Sequence, residues 1–255
     1  MALHELHDLV RFVLVRTSHS GNIGSAARAI RTMGFDRLVL VAPHRFPDPE
    51  ATALAAGADD VLGQAAIHHD LVSGLAGTTF ALGLSARRRG VNLPELDPRE
   101  GAAQALAAAR RGEHVALVFG NERTGLENDE LSRCHAMVRI PSVDDFSSLN
   151  LSQAVQVVAY ELRMAMLAEE GRAPVAEIDP DEAPADAEQV ERFFAHLAET
   201  LDDIEFHKGR SPTTIMLKLR KLFLRARPEL RELRILHGIL ADAQRMAELA
   251  RKGNP

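Results

Sequence analysis

Tryptophan is absent from this chain, tyrosine occurs once and phenylalanine ten times, so aromatic residues make up only 4% of it. A nucleic-acid surface on which successive bases stack needs more rings than that, and such a platform is disfavoured. The single cysteine, Cys134, excludes an internal disulfide and the cysteine-rich zinc sites. Methylation at pyrimidine C5 generally uses a cysteine nucleophile. Cys134, in ELSRCHAMV ahead of an apolar run, reads instead as a small buried hydrophobe. No apolar run approaches the roughly 18 residues of a membrane span. The opening MALHELHDLVRFVLV lacks both the basic start and the apolar block of a signal peptide. The expectation is a soluble cytoplasmic protein without membrane association. The phosphate-binding GxxxxGK[ST] pattern, the GxSxG elbow and the HExxH zinc spacing are all missing, so no metal is expected.

An apolar share of 46% supports a sizeable core, and 255 residues suit one large domain with an appendage. The net charge of −6 looks wrong for a nucleic-acid binder until it is mapped along the chain. Residues 169–191 hold nine acidic side chains against one arginine, and residues 207–234 hold nine Lys/Arg against two Glu. The average conceals a basic patch.

Residues 10–16 and 38–42 read as short β-branched strands, separated by a helix over 22–33 in which Ile23, Ala26, Ala27, Ile30 and Met33 recur at helical spacing. Strand, helix, strand implies a parallel sheet. Further strands are expected at 80–84, 115–119 and 137–140, with helices at 49–56 and 102–111. A long helix over 150–167 is apolar on more than one face, which suggests burial in its own domain and against a second subunit. Asn150 with Gln153 resembles a capping box, although Ser148 could cap instead. Residues 169–187 are acidic and Pro-rich and read as a solvated linker. Three helices follow, from about residues 187, 212 and 228, with Ser211-Pro212 a strong start signal. The organisation expected is thus 1–168 catalytic, 169–187 linker and 188–255 a helical, basic extension.

A strand followed by Gly21-Asn22-Ile23-Gly24-Ser25-Ala26 invites a dinucleotide-binding reading, which fails because the glycines are three apart and the next strand ends in Val41-Ala42-Pro43, without an acid. What remains is a set of three loops. The first is Asn22-x-Gly24-x-x-x-Arg28, and the second is Phe119-Gly120-x-Glu122-x-x-Gly125-Leu126. The third runs from Ile140-Pro141 to Ser147-Ser148-Leu149-Asn150-Leu151-Ser152-x-Ala154. In this order they resemble the signature motifs of the SPOUT class of methyltransferases, and within it the TrmH-like ribose 2′-O-methyltransferases. Residues 13–33, 96–100 and 150–162 resemble the TrmJ subgroup, which methylates the ribose of tRNA nucleotide 32 in the anticodon loop. The tail, with Leu217, Arg220, Leu222 and Phe223, resembles that subgroup's C-terminal helices.

The resemblance implies an α/β fold with a mainly parallel sheet and a C-terminal deep trefoil knot, one of the rare exceptions to unknotted chains. It implies a homodimer in which two subunits complete each site, tRNA as the partner, and S-adenosylmethionine bent into the knot crevice. Carried over residue by residue, it gives Arg28, Asn22, Glu122, Ser148 and Asn150 catalytic roles. Gly120, Asn121, Ile140, Ser147 and Leu149 would enclose the cofactor, and Arg123 would meet RNA phosphate. A ribose hydroxyl is a weak acid, so transfer requires its proton accepted and its oxygen placed in line. The family often makes the arginine matching Arg28 the general base, but a guanidinium stays protonated, and stabilising the alkoxide is the other reading. Asn22 could cap its helix or bind substrate, and Ser148 and Asn150 could simply be caps. In the tail, Lys218, Arg220, Lys221, Arg225 and Arg227 are either the wet face of a helix whose other face is Ile215, Leu219, Leu222 and Phe223, or an RNA-docking surface, which is the favoured reading. The rivals are a ribosomal-RNA enzyme with the same motifs and a catalytically silent RNA-binding relative. The Asn22–Arg28 pattern argues against the guanine-N1 branch.

Overall fold

The computed structural model describes residues 6–86, 93–143, 148–168 and 183–253. Seven strands form one sheet: β1 Val10–Val15, β2 Leu38–Val41, β3 Ala66–His68, β4 Phe80–Leu84, β5 Glu95–Leu96, β6 Val115–Phe119 and β7 Ala136–Val138. They lie in the order β3-β2-β1-β6-β4-β7-β5, and every pairing is parallel. The central strands β1, β2, β4 and β6 are buried along nearly their whole length, which is why they read as unbroken apolar runs. The chain winds one way from β1 through β2 to β3, then crosses back beyond β1 for β4. The strand order therefore reverses beside β1, and the crevice above the C-terminal strand ends there is where such sheets hold ligands.

Helices cover both faces: α1 Ser20–Thr32, α2 Pro49–Ala55, α3 Asp59–Gly63, α4 Leu71–Gly74, α5 Pro98–Arg110, α6 Asn128–Leu131 and α7 Leu151–Ala168. The apolar stripe of α1, Ile23, Ala26, Ala27 and Ile30, is wholly buried. Gly24 lets α2 approach its backbone, because a Cβ there would stand 2.0 Å from the Ala51 carbonyl oxygen. α5 starts four residues earlier than the Ala-rich run suggests, at a complete capping box between Asp97 and Glu100. β3 and β5 have too few residues to show a period. α7 buries Val155, Val158, Leu162 and Met166 and packs on both α1 and α5. Its other side leaves Tyr160, Met164 and Leu167 exposed at 48, 44 and 41%.

The tail is a three-helix unit: α8 Ala187–Asp203, α9 Pro212–Ala226 and α10 Leu230–Gly253. Phe193, Phe194, Leu197, Leu201, Leu224 and Leu233 form its core. Leu222 is not part of the apolar face as expected; it is 47% exposed, because the helix turns Leu219, Phe223 and Leu224 inward instead. Residues 169–182 of the expected linker lie outside the described residues. Its last residues are not solvated: Ala185 is buried, its N–H donates to the Pro228 carbonyl at 2.9 Å, and the Ala187 N–H donates to the Thr78 carbonyl at 2.7 Å.

His135 lies where the tail meets the sheet, accepting a hydrogen bond at Nδ1 from the Ala81 N–H at 3.0 Å. Burial, with the nearby Arg227 charge, pushes its pKa down to about 3. A histidine depressed in the folded state contributes stability that is present above the unfolded value and drains away as pH falls below about 6.5. Thermal melts should therefore show an acid-side slope between pH 6.5 and 4, with about 1.4 kcal/mol per pH unit from this group. His135→Asn should remove that share. Gly24→Ala should cost about 1–3 kcal/mol in denaturant unfolding, since backbone has to move to admit the methyl group.

Candidate active site

The C-terminal ends of β4, β6 and β7 and the loops that follow them enclose one cleft together with the start of α7. Its floor and walls include Leu84, Phe119, Gly120, Val138, Ile140 and Leu149, with Ala154 of α7 closing one side. Ser85, Ser148 and Thr124 give it a polar margin. Gly120 is required by a close backbone turn: a Cβ there would stand 2.1 Å from the Leu126 amide nitrogen. The hairpin it opens is closed by the Gly125 N–H donating to the Asn121 carbonyl at 2.7 Å.

Asn121 touches the cleft, but its side chain is committed to the loop. Its Nδ2 donates to the Arg16 carbonyl at 2.5 Å and to Ser18 Oγ at 2.7 Å, while Oδ1 accepts from the Arg123 and Thr124 amides at 2.9 and 3.3 Å. Arg16, at the end of β1, reaches the same segment from the other side. Its guanidinium makes a two-pronged bond to Glu130 at 2.9 and 2.9 Å and a third bond to Glu127 at 2.8 Å. Sequence reading passed over Arg16, whose only signal is a charged residue where a buried parallel strand ends. It also missed Ser85, for which the exit of β4 was the equivalent cue.

Glu122 joins the two halves of the site. Its carboxylate accepts the backbone N–H groups of Ser18 at 2.9 Å and His19 at 3.2 Å, and Nδ2 of Asn22 at 2.9 Å. Burial alone would raise the Glu122 pKa, but these hydrogen bonds outweigh it and hold it below the ordinary carboxylate value. Asn22 is not the cap of α1. The helix begins at Ser20 with His19 at the cap position and no side-chain cap bond. The Glu122 carboxylate, from another loop, supplies the negative charge that a cap would bring. With Nδ2 held by Glu122, Asn22 presents Oδ1 to Nδ2 of Asn150 at 2.9 Å. Asn150 in turn caps α7, accepting at Oδ1 from the amide and hydroxyl of Ser152 at 2.9 and 2.7 Å. The bonds go to Ser152, not to the Gln153 of the expected box. Glu122, Asn22 and Asn150 thus form one oriented relay across the mouth of the cleft.

Of the predicted residues, Gly120, Asn121, Glu122, Arg123, Ile140, Ser148 and Leu149 meet at the cleft, and Asn22 and Asn150 join through the relay. Ser147 lies outside the described residues. Arg28 is exposed on α1 and bonds to none of these residues. Six residues from Asn22, it lies about 120° round the helix and roughly 9 Å along it. Arg123 is exposed at the rim. Cys134 is fully buried and its thiol is pushed up to about 12 by burial, so it is no nucleophile. Among the described residues no helix is long and apolar enough to cross a membrane, and no cluster of three potential metal ligands occurs.

Residues 9–160 match the model of the SpoU rRNA methylase family, and residues 188–252 match that of the C-terminal domain of the tRNA methyltransferase TrmJ. The chain belongs to the SpoU methylase family. The tRNA (cytidine/uridine-2′-O-)-methyltransferase TrmJ of Yersinia enterocolitica is 48% identical over 252 residues, 97% of this chain and 96% of that one. The crystal structure of TrmJ from Z. mobilis ZM4 superposes with a TM-score of 0.79 at 34% identity, covering 91% of this chain and 97% of the other. The fold is also that of AviRb, a SpoU methyltransferase from Streptomyces viridochromogenes in complex with AdoMet, at 20% identity, TM-score 0.51 and coverage of 63% and 62%.

In this methylase site the relay makes a charge-dependent contribution to stability. Because the Glu122 pKa is depressed, that contribution is present above about pH 4.5 and lost as pH falls through the folded value. Glu122→Gln should therefore destabilise the protein by about 1–3 kcal/mol at neutral pH. In denaturant titrations across pH 7 to 3 the gap between the two proteins should close on the acid side.

Proposed function

We propose that this chain is a cytoplasmic, homodimeric enzyme that transfers a methyl group from S-adenosylmethionine to a ribose 2′-hydroxyl of tRNA, at nucleotide 32 of the anticodon loop. The observation that carries the reading is that likeness to TrmJ runs through both parts of the chain, the methylase region and the basic helical tail. A ribosomal-RNA methylase would need only the first. Residues 1–168 form the catalytic unit, 169–187 the connection and 188–255 the RNA-binding extension, and the family likeness supports a deep trefoil knot in the last part of the catalytic unit.

The cleft suits the cofactor. Ile140, Leu149, Leu84 and Ala154 offer apolar surface for an adenine ring, while Ser85, Ser148 and the backbone beside Gly120 offer polar edges for its sugar. Bound there, S-adenosylmethionine supplies an electrophilic methyl group on a sulfonium. The protein's own task is to aim the hydroxyl and to stabilise the charge that grows on its oxygen. Glu122, with its carboxylate oxygens taken up by Ser18, His19 and Asn22, is a poor base and acts by orienting Asn22. Arg28 serves as the guanidinium that steadies the alkoxide and grips the adjoining phosphate. It stands apart from the relay within one chain, and a second copy packed on the apolar stripe of α7 (Tyr160, Met164 and Leu167) brings the two together. Arg123 at the rim and Lys218, Lys221 and Arg225 on α9 meet RNA phosphates. Arg220 and Arg227 are left out of that set: Glu191 holds Arg220 at 2.5 and 2.6 Å with its guanidinium over the Phe194 ring at 4.4 Å, and Arg227 pairs with Glu113 and covers the Phe80 ring.

Incubation with S-adenosylmethionine and total tRNA, followed by mapping of 2′-O-methylation, should place the new methyl group at nucleotide 32. Methylation of ribosomal RNA alone would overturn the substrate. Arg28→Ala should lower turnover by at least about 100-fold, the loss expected for an oxyanion stabiliser, with the melting temperature and cofactor affinity retained.

A further inference from the structure

The helical tail is fastened to the methylase unit by two ionic straps that meet on or beside α9. In the first, Glu191 of α8 pairs with Arg220 of α9 at 2.5 Å and with Arg133, just past α6, at 2.8 Å. In the second, Arg227, the left-handed C-cap of α9, pairs with the buried carboxylate of Glu113 and lies over the Phe80 ring at 4.6 Å. The first strap continues inward. Arg133 closes the short helix α6, whose other end is clamped by Arg16 through Glu127 and Glu130, and the carbonyl of Arg16 takes the Asn121 amide. A series of hydrogen bonds and ion pairs therefore runs from the cofactor loop to the middle of α9, with the Arg133–Glu191 link a charge pair.

Ionic straps are a poor choice if adhesion is all that is needed, since apolar side chains of the same volume hold two surfaces together at least as well. What they add is pairing of specific partners: Arg227 donates a hydrogen bond to Glu113, and Arg133 brings its charge to Glu191, so a given register of the tail is favoured. The exposed cations Lys218 and Arg225, with Lys221 half-exposed, sit on the same helix that both straps hold.

We propose that Arg133 and Arg227 are positioning residues for RNA methylation, setting the basic helix α9 at a fixed distance and angle from the methyl-transfer cleft. This rests on the reading that the tail binds tRNA. RNA phosphates gripped by α9 are then presented with the target ribose already in reach, so strapping raises the rate of the bound complex more than it raises affinity.

The test uses the full chain with Arg133→Gln and Arg227→Gln, singly and together, and separately the triple variant Lys218→Ala/Lys221→Ala/Arg225→Ala. The strap variants leave the Glu191–Arg220 pair inside the tail, and far-UV circular dichroism checks that its helices persist. With both straps cut, kcat at saturating tRNA should fall at least about tenfold, while the Kd for tRNA stays within about threefold and the Kd for S-adenosylmethionine is unchanged. The triple variant should weaken tRNA binding at least about tenfold. Unchanged kcat in the double strap variant, with the triple variant still losing affinity, overturns the positioning role and leaves the tail's RNA binding standing. Loss of tRNA affinity in parallel with kcat also overturns it, assigning the straps to the tail's attachment alone. A triple variant that binds tRNA normally overturns the reading on which the proposal rests.

Discussion

Just ahead of α1 the backbone amides of Ser18 and His19 point to one acceptor, and the carboxylate of Glu122 takes both. That single contact crosses about a hundred residues of sequence and locks the loop after β1 to the loop after β6. Everything at the cleft is registered on it. The same carboxylate turns the Asn22 amide, which turns Asn150, which caps α7. The carboxylate can do this because it stays charged, and it stays charged because the amides it accepts outweigh the burial they cause. Cap, relay and loop clamp are one interaction seen from three sides.

Around that anchor the molecule separates tasks by place. The ends of β4, β6 and β7 create the cleft, the hairpin opened by Gly120 forms its wall, and Gly24, inside the first motif, lets α2 pack against α1. The tail is joined to the methylase unit by charge-bearing contacts at Arg133 and Arg227 and by the Ala187 N–H bond to the Thr78 carbonyl. Its basic surface is therefore not an independent module on a tether.

The central strands were legible because buried parallel strands are apolar throughout, and all four long runs landed within two residues of their observed ends. The cleft residues were legible as loops because polar, glycine-rich segments between such strands have little else to do. What local patterns cannot carry is a partner distant in sequence. Asn22 could be read as a cap or a substrate contact because its partner Glu122 lies on another loop, and Arg220 read as a free cation because Glu191 lies on another helix. The sequence motif groups Arg28 with Asn22, yet the helical twist between them sends the arginine to a different face.

The two edges of the sheet are strands of three and two residues, β3 and β5, and Glu95 of the latter is paired with Arg139. Such edges offer almost no open ladder of amides and carbonyls for another sheet to extend. Growth by strand addition, into a continuous intersubunit sheet or an aggregate, is closed off at both ends. Among the described residues, the helix faces are left for association of copies, where side-chain shape rather than backbone hydrogen bonding decides who the neighbour is.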